Sequence, residues 1–349
     1  MPEFKIGNRE VGEGHPVFII AELSANHRQN FDVAVKTLQA IKKAGADAVK
    51  FQTYTPDTIT IDSAGEYFKI SHGSLWDGKT LYQLYNEAHT PWQWYPALRD
   101  LALELGLISF SSPFDVTAVD YLEEMGVPAY KVASFEITDI PLIEYIASKG
   151  KPVLLSTGIA TLADIEEAIE GCLKTGNHRI ALLKCSSTYP TAFHEIDLRT
   201  MPHLRDTFGV TVGLSDHSTG ISASIAAVAL GAAIVEKHII LDKGLGGPDA
   251  AFSLTPEEFT DMVRSIRETE QALGHVNYEL SAGAKLSRIH SRSLFAVSDI
   301  MACEPFTKEN VRSIRPGQGL HPRHLNYVLT RRSRVDIPRG TPLQWSQID

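Results

Sequence analysis

The stretch TVGLSDHSTGISASIAAVALGAAIVEKH, residues 211–238, decides the fold. It opens on a short apolar run that stops at His217 and closes on another that stops at His238. Between them, ISASIAAVALGA carries a helical pattern of small and aliphatic residues. A strand–helix–strand unit makes its two strands parallel neighbours. Both imidazoles then stand near the carboxyl ends of adjacent strands, where α/β folds keep their ligand sites. Two imidazoles with acids and hydroxyls around them suggest a divalent cation.

The same rhythm extends outward in the chain. PVFIIAEL, ADAVKFQT, LISFSSPF, AYKVASFE, PVLLSTGI and IALLKCSS precede the two histidine strands, with helix-like segments such as FDVAVKTLQAIKKAG between them. Eight βα units over about 260 residues predict a (β/α)₈ TIM barrel. A doubly wound sheet is the alternative, because strand periodicity does not reveal closure. A long insertion near residues 54–90, SAGEYFKISHGSLWDGKTLYQLYNEAHTPW at its centre, is either a functional loop on the strand-end face or a packed excursion with one helix, DGKTLYQLYNEAH. After about residue 280 the rhythm stops. DIMACEPFTKENV (299–311) and DIPRGTPLQWSQI (336–348) form a weak repeat, which suggests a small β-rich domain with pseudo-twofold symmetry unless the similarity is chance. The predicted domains are therefore residues 1–280 and 281–349.

Composition narrows the function classes. The 349 residues are 43% hydrophobic and 21% charged, as in ordinary globular chains. A net charge of −9 argues against nucleic acid as the main partner, though not against a small anion held by local charge. No apolar run approaches the ~20 residues of a membrane span. MPEFKIGNREVGEGH lacks the apolar region of a signal peptide. Cys172, Cys185 and Cys303 are widely spaced, which fits a reduced, cytoplasmic chain.

In a barrel the strand ends face one basin. In order they supply Glu22, Asn26 and His27; Lys50 and Gln52; Ser111 and Ser112; Lys131, Ser134 and Glu136; Ser156 and Thr157; Lys184, Ser186, Ser187 and Tyr189; Ser215, Asp216 and His217; and Glu236, Lys237 and His238. So many polar groups make sense only if they face solvent, each other or a ligand, since each left unpaired costs ~1–3 kcal/mol. Lys50 and Lys131 interrupt apolar strands. Either could form a Schiff base with a carbonyl substrate or act as a point charge for phosphate or carboxylate. Two lysines among several serines fit anion binding better; an ion pair with Glu22 or Glu136 is the structural alternative. His217 and His238 with oxygen ligands would suit Mn²⁺ or a similar ion, against the alternative of satisfied core histidines. Glu22 is the best carboxylate to complete the shell or orient a water. Strand alternation can point Asp216 away from the basin.

AELSANH, AVKFQTY, SSPFD, YKVASFE, STGIA, KCSSTYPT, GLSDH, VEKHI and GGPD resemble the successive motifs of the sialic acid synthase family. The resemblance covers nearly the whole chain, and RSLFAVSDI and SIRPGQGLHP resemble that family's antifreeze-protein-like (SAF) tail domain. LWDGKTLYQLY, TPWQW and SIRPGQGLHP look most like the branch that makes pseudaminic acid. The N-acetylneuraminate branch has Asn where KCSST places Ser187.

The resemblance implies condensation of phosphoenolpyruvate with an acylated amino-sugar aldehyde, 2,4-diacetamido-2,4,6-trideoxy-L-altrose for that branch. It implies His217 and His238 as ligands of Mn²⁺, with Mg²⁺ or Co²⁺ possible, and Glu22 beside the reacting centre. Lys50, Lys131, Ser134, Ser156, Ser187 and Ser215 would hold phosphoenolpyruvate. Gln52, Glu136, Tyr189 and Asp249 would face the sugar, and Arg315 would reach it from the partner subunit of a domain-swapped homodimer. A neuraminic or legionaminic acid synthase, a Schiff-base aldolase and a non-catalytic sugar-binding protein are the rival readings.

Overall fold

The computed structural model of the protein describes residues 3–71 and 75–349; His72, Gly73 and Ser74 of the insertion lie outside them. Contacts divide the chain into two units, Met1–Gly274 and His275–Asp349.

The first unit opens with an antiparallel hairpin, β1 (Phe4–Ile6) and β2 (Arg9–Val11). Eight parallel strands follow: β3 (Phe18–Glu22), β4 (Ala48–Thr53), β5 (Ile108–Pro113), β6 (Tyr130–Val132), β7 (Val153–Ser156), β8 (Ile180–Lys184), β9 (Thr211–Asp216) and β10 (Ile234–His238). They close into a barrel, β10 pairing with β3, as the barrel reading expected. Runs such as FIIAE and VLLS are buried throughout because the lumen is packed and helices cover the outside. Closure is what brings the first strand to the last: His238 lies opposite Glu22. Helix starts follow local chemistry. The Asn30 side chain accepts from the amides of Asp32 and Val33 to begin Phe31–Ala44, and Thr255 and Glu258 cap Pro256–Leu273 reciprocally.

The hairpin was not anticipated, because two three-residue strands leave no usable periodicity. It sits at the barrel end opposite the strand carboxyl termini, where Phe4, Ile6 and Val11 join the barrel core. There Asp47 accepts from the Ile19 amide at 2.9 Å and pairs with Arg9 at 2.6 Å and Arg267 at 3.1 Å. Within the insertion, Thr80 and Gln83 form a capping box that starts helix Leu81–Ala88.

The second unit pairs β11 (Ser293–Ala296) with β12 (Val311–Ile314) around a core that includes Leu294, Phe306, Val311 and Leu343. Its repeat is structural. Ile300 and Ile337 exchange both backbone hydrogen bonds, at 2.9 and 2.8 Å. Asp299 accepts from the Arg339 amide, and Asp336 from the Ala302 amide, each at 2.7 Å. Each repeat's aspartate thus serves the third residue onward in the other.

Candidate active site

The carboxyl ends of β3, β4, β9 and β10 hold a chain of alternating charge. Lys50 Nζ lies 2.9 Å from Glu22 and 2.9 Å from Glu236, all three at most 3% exposed. Gln52 donates to Glu22 Oε1 at 2.8 Å, and Ser215 donates to Glu236 Oε1 at 2.8 Å. His238 Nε2 is 3.2 Å from Glu22 Oε2. Lys131 donates to its neighbour's carbonyl and stays 3.9 Å from Glu236.

Burial alone would raise the Glu22 carboxyl, but Lys50 and then His238 hold it well below the usual carboxylate range. Burial would likewise lower Lys50, yet Glu22 and Glu236 raise it. Burial does lower Lys131, whose main compensation is Glu236. The structural alternative for the lysines is thus realised for Lys50, with Glu22, but neither lysine is paired with Glu136. Glu236, to which the sequence reading gave no role, is the carboxylate both lysines approach.

Next to this chain is a group of hydroxyls. Ser134 accepts from the Gly158 amide at 3.2 Å. A Cβ on Gly158 would sit 2.7 Å from Ser134 Oγ and collide with the Ser187 hydroxyl, so only glycine lets the β7 loop pass this close. Ser156 Oγ, Ser112 Oγ, Glu136 Oε2 and Glu236 Oε2 are buried without hydrogen-bond partners. Native cores rarely leave such groups unsatisfied, so this cluster marks a place for a ligand. Glu136 follows β6 on the turn Ser134–Glu136, and burial pushes its carboxyl up to about 7 against the pull of Lys131.

The two histidines meet as expected, ring centroids 5.3 Å apart. Tyr189 packs on His217 at 4.6 Å, and Phe252 on His238 at 4.9 Å. Asp249 Oδ2 comes within 3.6 Å of His238 Nδ1. His217 Nδ1 faces the Ser186 carbonyl at 2.9 Å; a carbonyl only accepts, so Nδ1 carries a proton, and Nε2 is the nitrogen with a lone pair to offer once the ring is neutral. His238 Nδ1 is buried without a hydrogen-bond partner. Cys185 Sγ, which sequence reasoning missed, is 3.5 Å from His217 Nδ1. Burial would raise that thiol, but His217 brings it to about 7; burial would lower His217, but Cys185 lifts it to about 9. Among the described residues no group of three or more His, Cys, Asp or Glu forms a metal cage. Two imidazoles nevertheless fit a borderline cation that keeps open positions for water or substrate. Arg315 follows β12 in the second unit.

Outside the barrel, behind the histidines, lies a second charged group. Asp216 Oδ2 pairs with Lys237 at 3.0 Å and accepts from Ser224 at 2.8 Å, while Oδ1 accepts from the Ser218 amide and hydroxyl. Ser224 belongs to the helix Ser222–Ala229 that joins β9 to β10. Asp216 therefore does point away from the basin.

The model of the NeuB family matches residues 37–278, and that of the SAF domain matches residues 291–349. The chain is 44% identical to a pseudaminic acid synthase of Campylobacter jejuni, over 94% of this chain and 95% of that one. It is 43% identical to a pseudaminic acid synthase of Helicobacter pylori, over 96% and 98%. Among solved structures it resembles N-acetylneuraminic acid (sialic acid) synthetase from Leptospira borgpetersenii in complex with citrate. That match has TM-score 0.73 and 32% identity, and covers 82% of this chain and 95% of that one. A closed parallel barrel carrying these strand-end motifs, followed by an SAF domain, makes the chain a member of the NeuB family.

Proposed function

We propose that the protein is a pseudaminic acid synthase, joining phosphoenolpyruvate to 2,4-diacetamido-2,4,6-trideoxy-L-altrose with release of phosphate. The observation that carries this reading is the Glu22–Lys50–Glu236 chain ending beside two facing imidazoles. With Lys131 3.9 Å from Glu236, it sets two lysines for an anionic co-substrate beside an ionised base, at the place where an aldehyde would be polarised. The two pseudaminic acid synthases above support the choice of sugar, at 43–44% identity over nearly the full chain.

His217 and His238 would hold a divalent ion, most readily Mn²⁺, which when bound would supply Lewis-acid polarisation of the sugar aldehyde. Holding it would require the His217 ring to be neutral at Nε2, with Nδ1 keeping the proton it gives to the Ser186 carbonyl. Lys50, Lys131 and the hydroxyls of Ser134, Ser156, Ser187 and Ser215 would bind the phosphate and carboxylate of phosphoenolpyruvate. Gln52, Tyr189 and Asp249 would orient the sugar, and Arg315 of the partner subunit would meet it in a domain-swapped homodimer.

C3 of phosphoenolpyruvate forms the new bond to the aldehyde carbon, and the aldehyde oxygen takes up a proton. Water adds at C2 as Glu22, held anionic, accepts its proton. The C2–O bond to phosphate then breaks as the C2 hydroxyl gives its proton to the departing phosphate, leaving the 2-keto acid. The fixed cations stabilise the anionic groups throughout. Lys50, kept charged between two carboxylates, is no amine nucleophile, so borohydride with substrate should trap no adduct at Lys50.

Phosphate release from phosphoenolpyruvate with Mn²⁺ and a panel of acylated hexoses tests the reading. Release should be greatest with the diacetamido trideoxy sugar; no release with any of the panel would end it. His217→Ala and His238→Ala should each abolish turnover and Mn²⁺ binding measured by calorimetry. Unchanged activity after chelation would remove the cation from the site.

A further inference from the structure

One cleft in the barrel unit has no part in the chemistry above. It encloses about 600 Å³ between the insertion at Leu75–Lys79 and the loop Lys243–Ala251 that follows β10. Two of its lining residues, Trp76 and Pro248, connect it to the histidines. Trp76 donates from Nε1 to the Pro248 carbonyl at 3.2 Å, and its ring lies 5.7 Å from Tyr189, the residue packed on His217. Pro248 directly precedes Asp249, whose carboxylate approaches His238. A sugar whose aldehyde sits at the imidazoles can therefore extend its far end along Tyr189 and Trp76 into this cleft.

Three cations line the cleft. Lys79 is paired with Glu87 at 2.6 Å and Lys243 with Glu258 at 2.8 Å. Arg28 has no carboxylate partner among the described residues, and its backbone is held in an uncommon state. Arg28 and Gln29 both have φ of +51°, a left-handed pair without glycine or asparagine to favour it. The turn is fixed from both sides. The Gln29 amide donates to His27 Nδ1 at 3.1 Å, and the Gln29 side chain donates to the carbonyls of Glu87 and His89. The Arg28 stem lies across Gly247 (φ +122°), where a Cβ would come within 3.1 Å of Arg28 Cδ. Strain kept at two touching backbone positions is the mark of a side chain placed for a ligand.

We infer that this cleft reads the acylamino group at the far end of the sugar, with Arg28 donating to the acyl carbonyl and Trp76 forming the apolar wall for its methyl. A planar guanidinium suits a carbonyl oxygen and stacks along an amide plane. The inference rests on the acylated amino-sugar reading above and makes Arg28 a specificity-determining residue for the second acyl group.

The test compares the 2,4-diacetamido sugar with its analogue lacking the 4-acetamido group, in wild type and in Arg28→Ala. For the diacetamido sugar, Arg28→Ala should raise KM roughly tenfold, the loss of one charge-assisted hydrogen bond. KM for the analogue and for phosphoenolpyruvate should move less than about twofold on the same scale. Arg28→Lys should recover part of the difference, because it keeps the charge without the fork. An equal KM change for both sugars, or none, overturns the inference while leaving the proposed function intact. A wild type that releases no phosphate with either sugar overturns both.

Discussion

On β9 and β10, successive residues face opposite ways. Asp216 and Lys237 point out to the helix layer, while Ser215, Glu236 and His238 serve the mouth of the barrel. Both groups are buried, yet they differ in how completely their polar atoms are matched. Outside, both oxygens of Asp216 are engaged, and Lys237 also donates to the Ser218 carbonyl at 2.5 Å. At the mouth, Glu236 Oε2, Ser156 Oγ, Glu136 Oε2 and His238 Nδ1 have no hydrogen-bond partner. A buried network with every member satisfied specifies one backbone arrangement; one with unmatched members is arranged for something else. The outer group ties the strand ends of the two histidines to the helix between them, and the inner group keeps polar atoms unmatched at the barrel mouth.

The largest effect that would break this contrast is on the outer side. Asp216→Asn leaves the Lys237 ammonium, 0% exposed, facing a carbonyl and a neutral amide. Burial already lowers Lys237, and Asp216 is its chief compensation. Stability should fall by about 3–5 kcal/mol, read by denaturant unfolding. The double variant Asp216→Asn/Lys237→Met should recover most of that loss, the coupling expected of a buried pair. A single variant within about 1 kcal/mol of wild type would show that the outer pair does not hold the strands.

A matched pair of smaller changes sharpens the contrast. Ser156→Ala removes a buried hydroxyl that bonds nothing, so stability should stay level or rise by up to about 1 kcal/mol. KM for phosphoenolpyruvate should rise roughly tenfold if that hydroxyl awaits an anion. Ser224→Ala removes a donor to Asp216 and should cost about 1.5–3 kcal/mol while leaving that KM alone. Melting curves and phosphate-release kinetics on the two variants decide it; the reverse assignment would overturn the division of labour.

Much of this was legible in the sequence, and the gaps have physical reasons. Eight apolar runs ending in polar residues located the strands, because a barrel strand is buried on both faces and released only at its end. Alternation gave the outward direction of Asp216. The runs alone do not show closure, since each reads the same in an open sheet; the count of eight βα units pointed to the barrel and placed Glu22 with the histidines, and the pairing of β10 with β3 gives the direct contact to His238. Glu236 was visible as a strand-end acid, but only register reveals that it stands between two lysines. Cys185 resembled a small core residue and Arg28 a surface one. Neither a thiol's approach to an imidazole nor a left-handed arginine leaves a trace in composition or spacing.

The smallest expected effect is a slope with pH, and it separates two carboxylates within the mouth. Glu22, held low by Lys50 and His238 against its burial, adds stability that is present above its unfolded value and is lost in acid. Glu136 runs the other way. Its unfolded value is 4.5 and burial lifts the folded one to about 7. Below about 4.5 both states hold the proton and the group is neutral to stability. As pH rises toward about 7 the unfolded chain releases its proton while the folded one retains it, so stability falls, and the full penalty applies above that. Glu136→Gln should therefore melt increasingly above wild type between pH 5 and pH 8, a window set by those two values. Phosphoenolpyruvate analogues that engage Lys131 should alter the slope, because Lys131 is the chief group opposing the rise. Parallel melting curves for the two proteins would mean that Glu136 is solvated rather than waiting in the mouth for the sugar.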